Sequence, residues 1–296
     1  MKRAAMWSVV LGGAVLGMCG ASFAQSNATQ NPPAGQAAAP AGQAQPAAQA
    51  APAGKRPPKV NSQEEYTAYK AAVALTDPAA LEKAADDFAA KYPDSELRPL
   101  LYRTAMQRYQ QANNADKMMD MSKKVLAIDP DDPEALVGAA QVLAERTRDT
   151  DLDRDQRLAE ARKDAERALE TVDTDIPASG YPPEQLASYK GYLRSEAYAV
   201  LGKLSSDAKN WPQAETELRK SIDAFPQQVD SIAVLRLAVA LDMQNKIPEA
   251  LKYADQAVEL TKDRPDSGAG KAARDEKDRL TKLNVGAAPG QTPPKN

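Results

Sequence analysis

The stretch from Tyr198 to Pro226 limits the fold more than any other part of the chain. Tyr198, Leu201 and Gly202 share one face of a helix, Ala214, Leu218 and Ser221 share one face of a second, and Pro226 stops it. A helix pair of this size cannot bury its apolar stripe alone. The pattern therefore predicts a row of such pairs, each resting on the next.

Used as a ruler, the same intervals find four further units. Second helices are marked by Leu81, Ala85, Phe88 and Pro93, by Met118, Ser122, Val125 and Pro130, by Ala161, Ala165 and Ala168, and by Ala250, Ala254 and Ala257. Asp173 stands where the third unit's proline is expected, and Leu81 and Met118 replace the small residue that opens the first two. First helices carry Tyr102, Ala105, Met106 and Tyr109, then Leu136, Ala139, Ala140 and Leu143, then Val234, Leu237, Ala238 and Leu241. Small residues suit these positions because closely crossing helices leave little room for side chains.

Over residues 62–261 the chain resembles the tetratricopeptide repeat family. The resemblance implies an all-α, right-handed α-solenoid of about five helix pairs, with residues 269–284 as a polar-faced C-terminal capping helix. It also implies a protein or peptide partner held by the first helices. Carried over position by position, that groove is lined by Tyr66, Lys70, Arg103, Gln107, Gln110, Gln141, Glu145, Glu196, Lys203 and Arg236. The Lys-and-Asn clamp with which cytosolic members hold a carboxylate tail is not reproduced. Phe88 with Tyr92-Pro93-Asp94-Ser95 is similar to a joint in the repeats of bacterial outer-membrane assembly lipoproteins and of the periplasmic Tol-Pal coordinator.

The flanks divide differently. Residues 1–24 read as a signal peptide: Lys2 and Arg3 precede an apolar run, and Ser22-Phe23-Ala24 fits a cleavage site before Gln25. Export to the periplasm or cell envelope follows, with membrane association only through an uncleaved N-terminus or a lipid on Cys19. Residues 25–60 are rich in Ala, Gln and Pro and read as a disordered linker, residues 61–284 as the solenoid and 285–296 as a disordered tail.

Composition narrows the chemistry. The chain has no histidine and one cysteine, which removes the commonest general base and metal ligand and every Ser-His or Cys-His pair. All 41 acidic residues lie between residues 60 and 284, a negative balance that argues against nucleic acid as partner. Ser206 and Lys209 form the S-x-x-K of penicillin-recognising hydrolases without its companion motifs. The expectation is a non-enzymatic interaction scaffold without a cofactor.

Two departures from the repeat period locate what is individual to the chain. The marker positions 81, 118, 161, 214 and 250 are separated by 37, 43, 53 and 36 residues, against a family period of 34. The longer steps place insertions around Arg148–Gln156 and Thr174–Arg194. In the first, Asp149, Asp151, Asp153, Asp155 and Glu160 have the spacing of a calcium loop, with Arg154 where that loop turns on glycine. The alternative function is accordingly a calcium-responsive or transport-associated binding protein. In the second, a Pro-Gly loop leads to a helix opening at Pro183-Glu184. Tyr189 and Tyr192 share a face there, fitted either to a partner or to packing on the neighbouring unit.

Overall fold

The computed structural model describes residues 54–177 and 181–286. The signal peptide, residues 25–53 of the linker and residues 287–296 of the tail lie outside the described residues.

Among the described residues five helix pairs follow one another. They are α1 (Gln63–Val73) with α2 (Pro78–Lys91), α3 (Arg98–Gln111) with α4 (Ala115–Leu126), α5 (Pro133–Arg146) with α6 (Arg154–Thr171), α7 (Pro183–Asp207) with α8 (Trp211–Ala224), and α9 (Ser231–Asp242) with α10 (Ile247–Leu260). A single helix, α11 (Gly268–Gly286), closes the row. Several of the starts are written locally. Asp77 and Asp132 accept from the amides of Ala80 and Ala135 at 2.8 and 2.9 Å, with Pro78 and Pro133 in the first turn, where a missing N–H costs nothing. Ser62 and Glu65 form a reciprocal capping box on α1.

The turns inside the second, fourth and fifth units share one geometry. Asn113, Lys209 and Asn245 take φ of 56°, 58° and 59°. The next amide in each, from Asn114, Asn210 and Lys246, reaches back to the carbonyls of Tyr109, Ser205 and Leu241 at 2.9, 2.9 and 3.0 Å. This left-handed closure satisfies helix-end carbonyls and sends the second helix back along the first.

Every second helix packs against the first helix of its own unit and of the next, and α1, α3, α5, α7 and α9 also touch in series. Spacing is thus tighter on the first-helix side, so the stack curves toward it. The fold is a tetratricopeptide-like α-solenoid of five pairs and a cap. The expected register holds: every first-helix marker except the half-buried Tyr198 is buried, and so are the fifteen second-helix markers that lie within helices from Leu81 to Ala257, the terminating prolines aside. Closest approach occurs at Gly202, where a Cβ would lie 2.6 Å from Leu218 Cγ. On α11, Ala273 and Leu280 face inward while Lys271, Asp275, Asp278 and Lys282 face water, as a terminal helix requires.

The insertions are partly helical. Ala161 is the eighth residue of α6, whereas its counterparts are the fourth of α2, α4, α8 and α10, so the first insertion adds one turn to α6 as well as a loop. Tyr198 is the sixteenth residue of α7 where Leu136 is the fourth of α5, an extension of twelve residues or about 18 Å.

Residues 54–60 differ from the linker reading. They run without helix along the joints between units, held by ion pairs from Lys55 to Asp129 and Asp175 and from Arg56 to Glu96. The partners of Lys55 and Arg56 lie far along the chain, where local composition gives no sign of them.

Candidate functional site

The extension of α7 decides what the first-helix face can do. Its position is set by Gly191, where a Cβ would meet the Ala224 carbonyl oxygen at 2.7 Å. Val172, Ile176 and Leu193 are buried beneath it, with Leu186, Tyr189 and Tyr192 packed against them. Tyr192 lies edge-on to Phe225 at 5.9 Å. Arg194 and Lys190 hold Asp173 at the loop's entry, and the hydrogen bond from Arg194 keeps that carboxyl below its ordinary range.

The extension lies back over the expected groove. The Tyr189 hydroxyl donates to Glu134, in the first turn of α5, and Gln107 donates to the same carboxylate at 2.6 Å. Arg103 reaches Asp132 at 3.1 Å and Glu134 at 3.6 Å. Tyr181 stacks on Tyr189 with ring centroids 6.2 Å apart. Gln110 is within hydrogen-bonding reach of the Tyr192 hydroxyl, and Gln141 donates to Glu196. Five groove positions and both insertion tyrosines therefore meet, and they meet each other: Arg103, Gln107, Gln110, Gln141 and Glu196 are engaged by one another or by the insertion.

Burial governs the electrostatics. It disfavours the Arg103 charge, yet Asp132 and Glu134 outweigh it and hold the guanidinium above its usual value. Burial lifts the Glu134 carboxyl above the ordinary range against the opposing pull of Arg103. It also pushes the Tyr189 hydroxyl well up, as it does Tyr69 and Tyr181 around the same arginine. These groups are paired for holding rather than poised for proton transfer.

The other groove positions lie apart from this knot. Tyr66 stacks on Tyr69 at 6.5 Å with the exposed Lys70 ammonium 5.0 Å above its ring, leaving the α1 end open to solvent. Lys203 pairs with Asp207 one turn on, Glu145 is exposed and Arg236 is half-buried. Ser206 donates to the Gly202 carbonyl at 2.7 Å within α7, while Lys209 sits in the left-handed turn, so the S-x-x-K spans a helix end.

The structure does not bring the five acidic residues of the first insertion together. Arg154 opens α6 and takes Asp149 at 3.1 Å and Asp155 at 2.9 Å, both carboxylates otherwise in water. Asp151 accepts from the Arg148 amide at 2.9 Å and faces Arg157, Asp153 precedes the helix, and Glu160 lies in its second turn. Among the described residues no group of three or more acidic or thiol side chains is placed to hold a metal ion.

Sequence reasoning missed Asp132, Glu134, Tyr69 and Tyr181. Only Glu134 carried a readable signal, an acid beside the N-cap Asp132 and one unit on from Arg103. A cleft of about 510 Å³ opens between the α4–α5 joint and α6, lined by Leu126, Asp131, Leu136, Asp164 and Arg167 among others. Burial there, followed by the nearby Glu160, pushes the Asp164 carboxyl up to about 6.

No protein-family model matches the chain, and no curated protein matches it. Among solved structures it is similar to PilF of Pseudomonas aeruginosa, at 16% identity over 77% of this chain and 96% of that one, with a TM-score of 0.46. It is similar to Acl4, the assembly chaperone of RpL4, at 14% identity over 77% and 100% of the two chains, TM-score 0.40. A third is PilW, a widely conserved type IV pilus biogenesis factor, at 17% identity over 72% and 99%, TM-score 0.39. These likenesses are too distant to carry a functional argument, and the fold rests on the helix pairs themselves.

Proposed function

We propose that the chain is a non-enzymatic protein–protein interaction scaffold of the bacterial periplasm or cell envelope. It meets its partner on the outer side of the α7 extension and at the open Tyr66–Lys70 end of the groove. The observation that carries this reading is the closed polar knot of Arg103, Asp132, Glu134, Gln107 and Tyr189, whose strongly shifted groups are spent on fixing the insertion over the first helices. The effect is a rigid outer surface, with Glu184, Gln185 and Ala187 exposed, that differs from an open repeat groove. The envelope location rests on the charged, apolar and small-residue order of residues 2–24. No observation in the described residues favours the calcium-responsive or transport-associated alternative.

The test is photo-crosslinking in intact cells from Gln185 and from Lys70, with Lys271 on the cap helix as the control position. A discrete adduct from the first two and none from the third is expected, from a protein whose N-terminus is Gln25 in the periplasmic fraction. Recovery from the cytosol with Met1 intact would remove the envelope reading, and equal crosslinking from all three positions would remove the surface.

A further inference from the structure

Three consecutive joints between units each turn one carboxylate toward the same extended segment. Glu96 stands between α2 and α3, Asp129 between α4 and α5, and Asp175 between α6 and α7. Lys55 pairs with Asp129 and, at 3.6 Å, with Asp175, while Arg56 grips Glu96 through both oxygens. Neighbouring acids in the last two joints are already taken by the solenoid's own cations, Asp131 by Arg167 and Asp173 by Arg194. In each of those two joints a single acid thus remains for the strap.

The backbone takes part as well. The Lys55 amide donates to the Thr174 carbonyl at 2.7 Å and the Lys59 amide to Glu96 at 2.8 Å. Between them lie Pro57 and Pro58, which hold the chain extended and have no N–H to satisfy. Main-chain bonds to an extended segment, with side-chain charges setting the choice, form a general mode of peptide recognition. Arg56 is 67% exposed and Glu96 39%, and an ion pair this wet contributes little, so this end of the strap is easily exchanged.

We propose that this row of carboxylates is a docking edge for an extended, basic, proline-containing segment of a partner protein, and that residues 55–59 fill it in the free chain. This goes beyond the scaffold reading, since it names a second surface and the chemistry that fits it, and it does not depend on cellular location. Continuity with α1 gives the strap an effective concentration on the order of millimolar, which a competing segment must exceed.

The experiment uses the full chain, isotope-labelled for NMR, and a synthetic peptide of residues 54–60. In a Lys55→Ser/Arg56→Ser variant the peptide is expected to shift the amide signals of Glu96, Asp129 and Thr174 at millimolar concentration and low salt. The unaltered chain should need at least tenfold more peptide. Adding Glu96→Gln and Asp129→Asn to the variant, or about 0.5 M salt, should abolish the response. Absence of any shift in the variant up to about 10 mM peptide overturns the docking edge. Equal responses from variant and unaltered chain overturn occupation by the chain's own strap.

Discussion

Gly202→Ala tests the packing argument at its tightest point. An added methyl would lie 2.6 and 2.7 Å from two carbons of Leu218 and 3.3 Å from its backbone nitrogen. Leu218 is fully buried and has nowhere to retreat. Overpacking of this kind costs about 1–3 kcal/mol, and the upper half of that range applies because a single immobile side chain takes both contacts. Replacing a mid-helix glycine returns about 1 kcal/mol through helix propensity, so the net loss is about 1–2 kcal/mol. For a domain of this size that lowers the melting midpoint by a few degrees. Leu218→Ala alone should cost about 2–5 kcal/mol by opening a cavity. In that background the clash is gone, so Gly202→Ala should stabilise by about 1 kcal/mol. Urea unfolding followed by circular dichroism on the four proteins of the cycle measures the sign change. Additivity within about 0.5 kcal/mol, or stabilisation by Gly202→Ala in the unaltered chain, would refute the close crossing of α7 and α8.

Other perturbations probe the site. Tyr189→Phe removes a donor from the buried Glu134 and should cost about 1–2 kcal/mol, with faster amide exchange in residues 183–193 alone; unchanged protection there would sever the extension from the groove. Asp164→Asn should stabilise by about 1 kcal/mol at pH 7 and have no effect below about pH 4. The sign follows from a raised folded value: stability is full while the carboxyl is protonated in both states and is lost as pH rises through about 6. Denaturation midpoints across that range report it, and a gain persisting at pH 4 would point to another cause. Millimolar calcium should leave the melting midpoint unchanged, because Arg154 bridges Asp149 and Asp155; a rise of several degrees would mean that the loop rearranges.

How much was legible in the sequence follows from how far apart the interacting residues lie. Marker residues such as Ala214 and Leu218 are spaced by the helical turn itself, so their burial can be read from neighbours in the chain. The uneven steps likewise exposed both insertions, and Pro183-Glu184 gave the start of the extended α7. What the insertion does was not legible, because Tyr189 and Glu134 are 55 residues apart and no periodicity relates them. Lys55 and Asp129 are 74 apart. Specific pairing of charges across joints leaves no mark on local composition, which is why residues 54–60 looked like the rest of the linker. The left-handed turns at Asn113 and Asn245 were not read from the sequence, although asparagine tolerates that conformation, and Lys209 carries no such hint.

The course of the strap also fixes how the chain carries load. In a repeat stack each unit contacts only its neighbours, so a pull on one terminus bears first on the terminal unit. Here a pull arriving from upstream of Gly54 meets the Thr174 carbonyl and the Asp129 and Asp175 carboxylates first, so tension enters at the middle of the row. The first two units are bypassed until those contacts peel. A pull that draws out α1 and α2 must therefore first break the contacts of Lys55 with Thr174, Asp129 and Asp175.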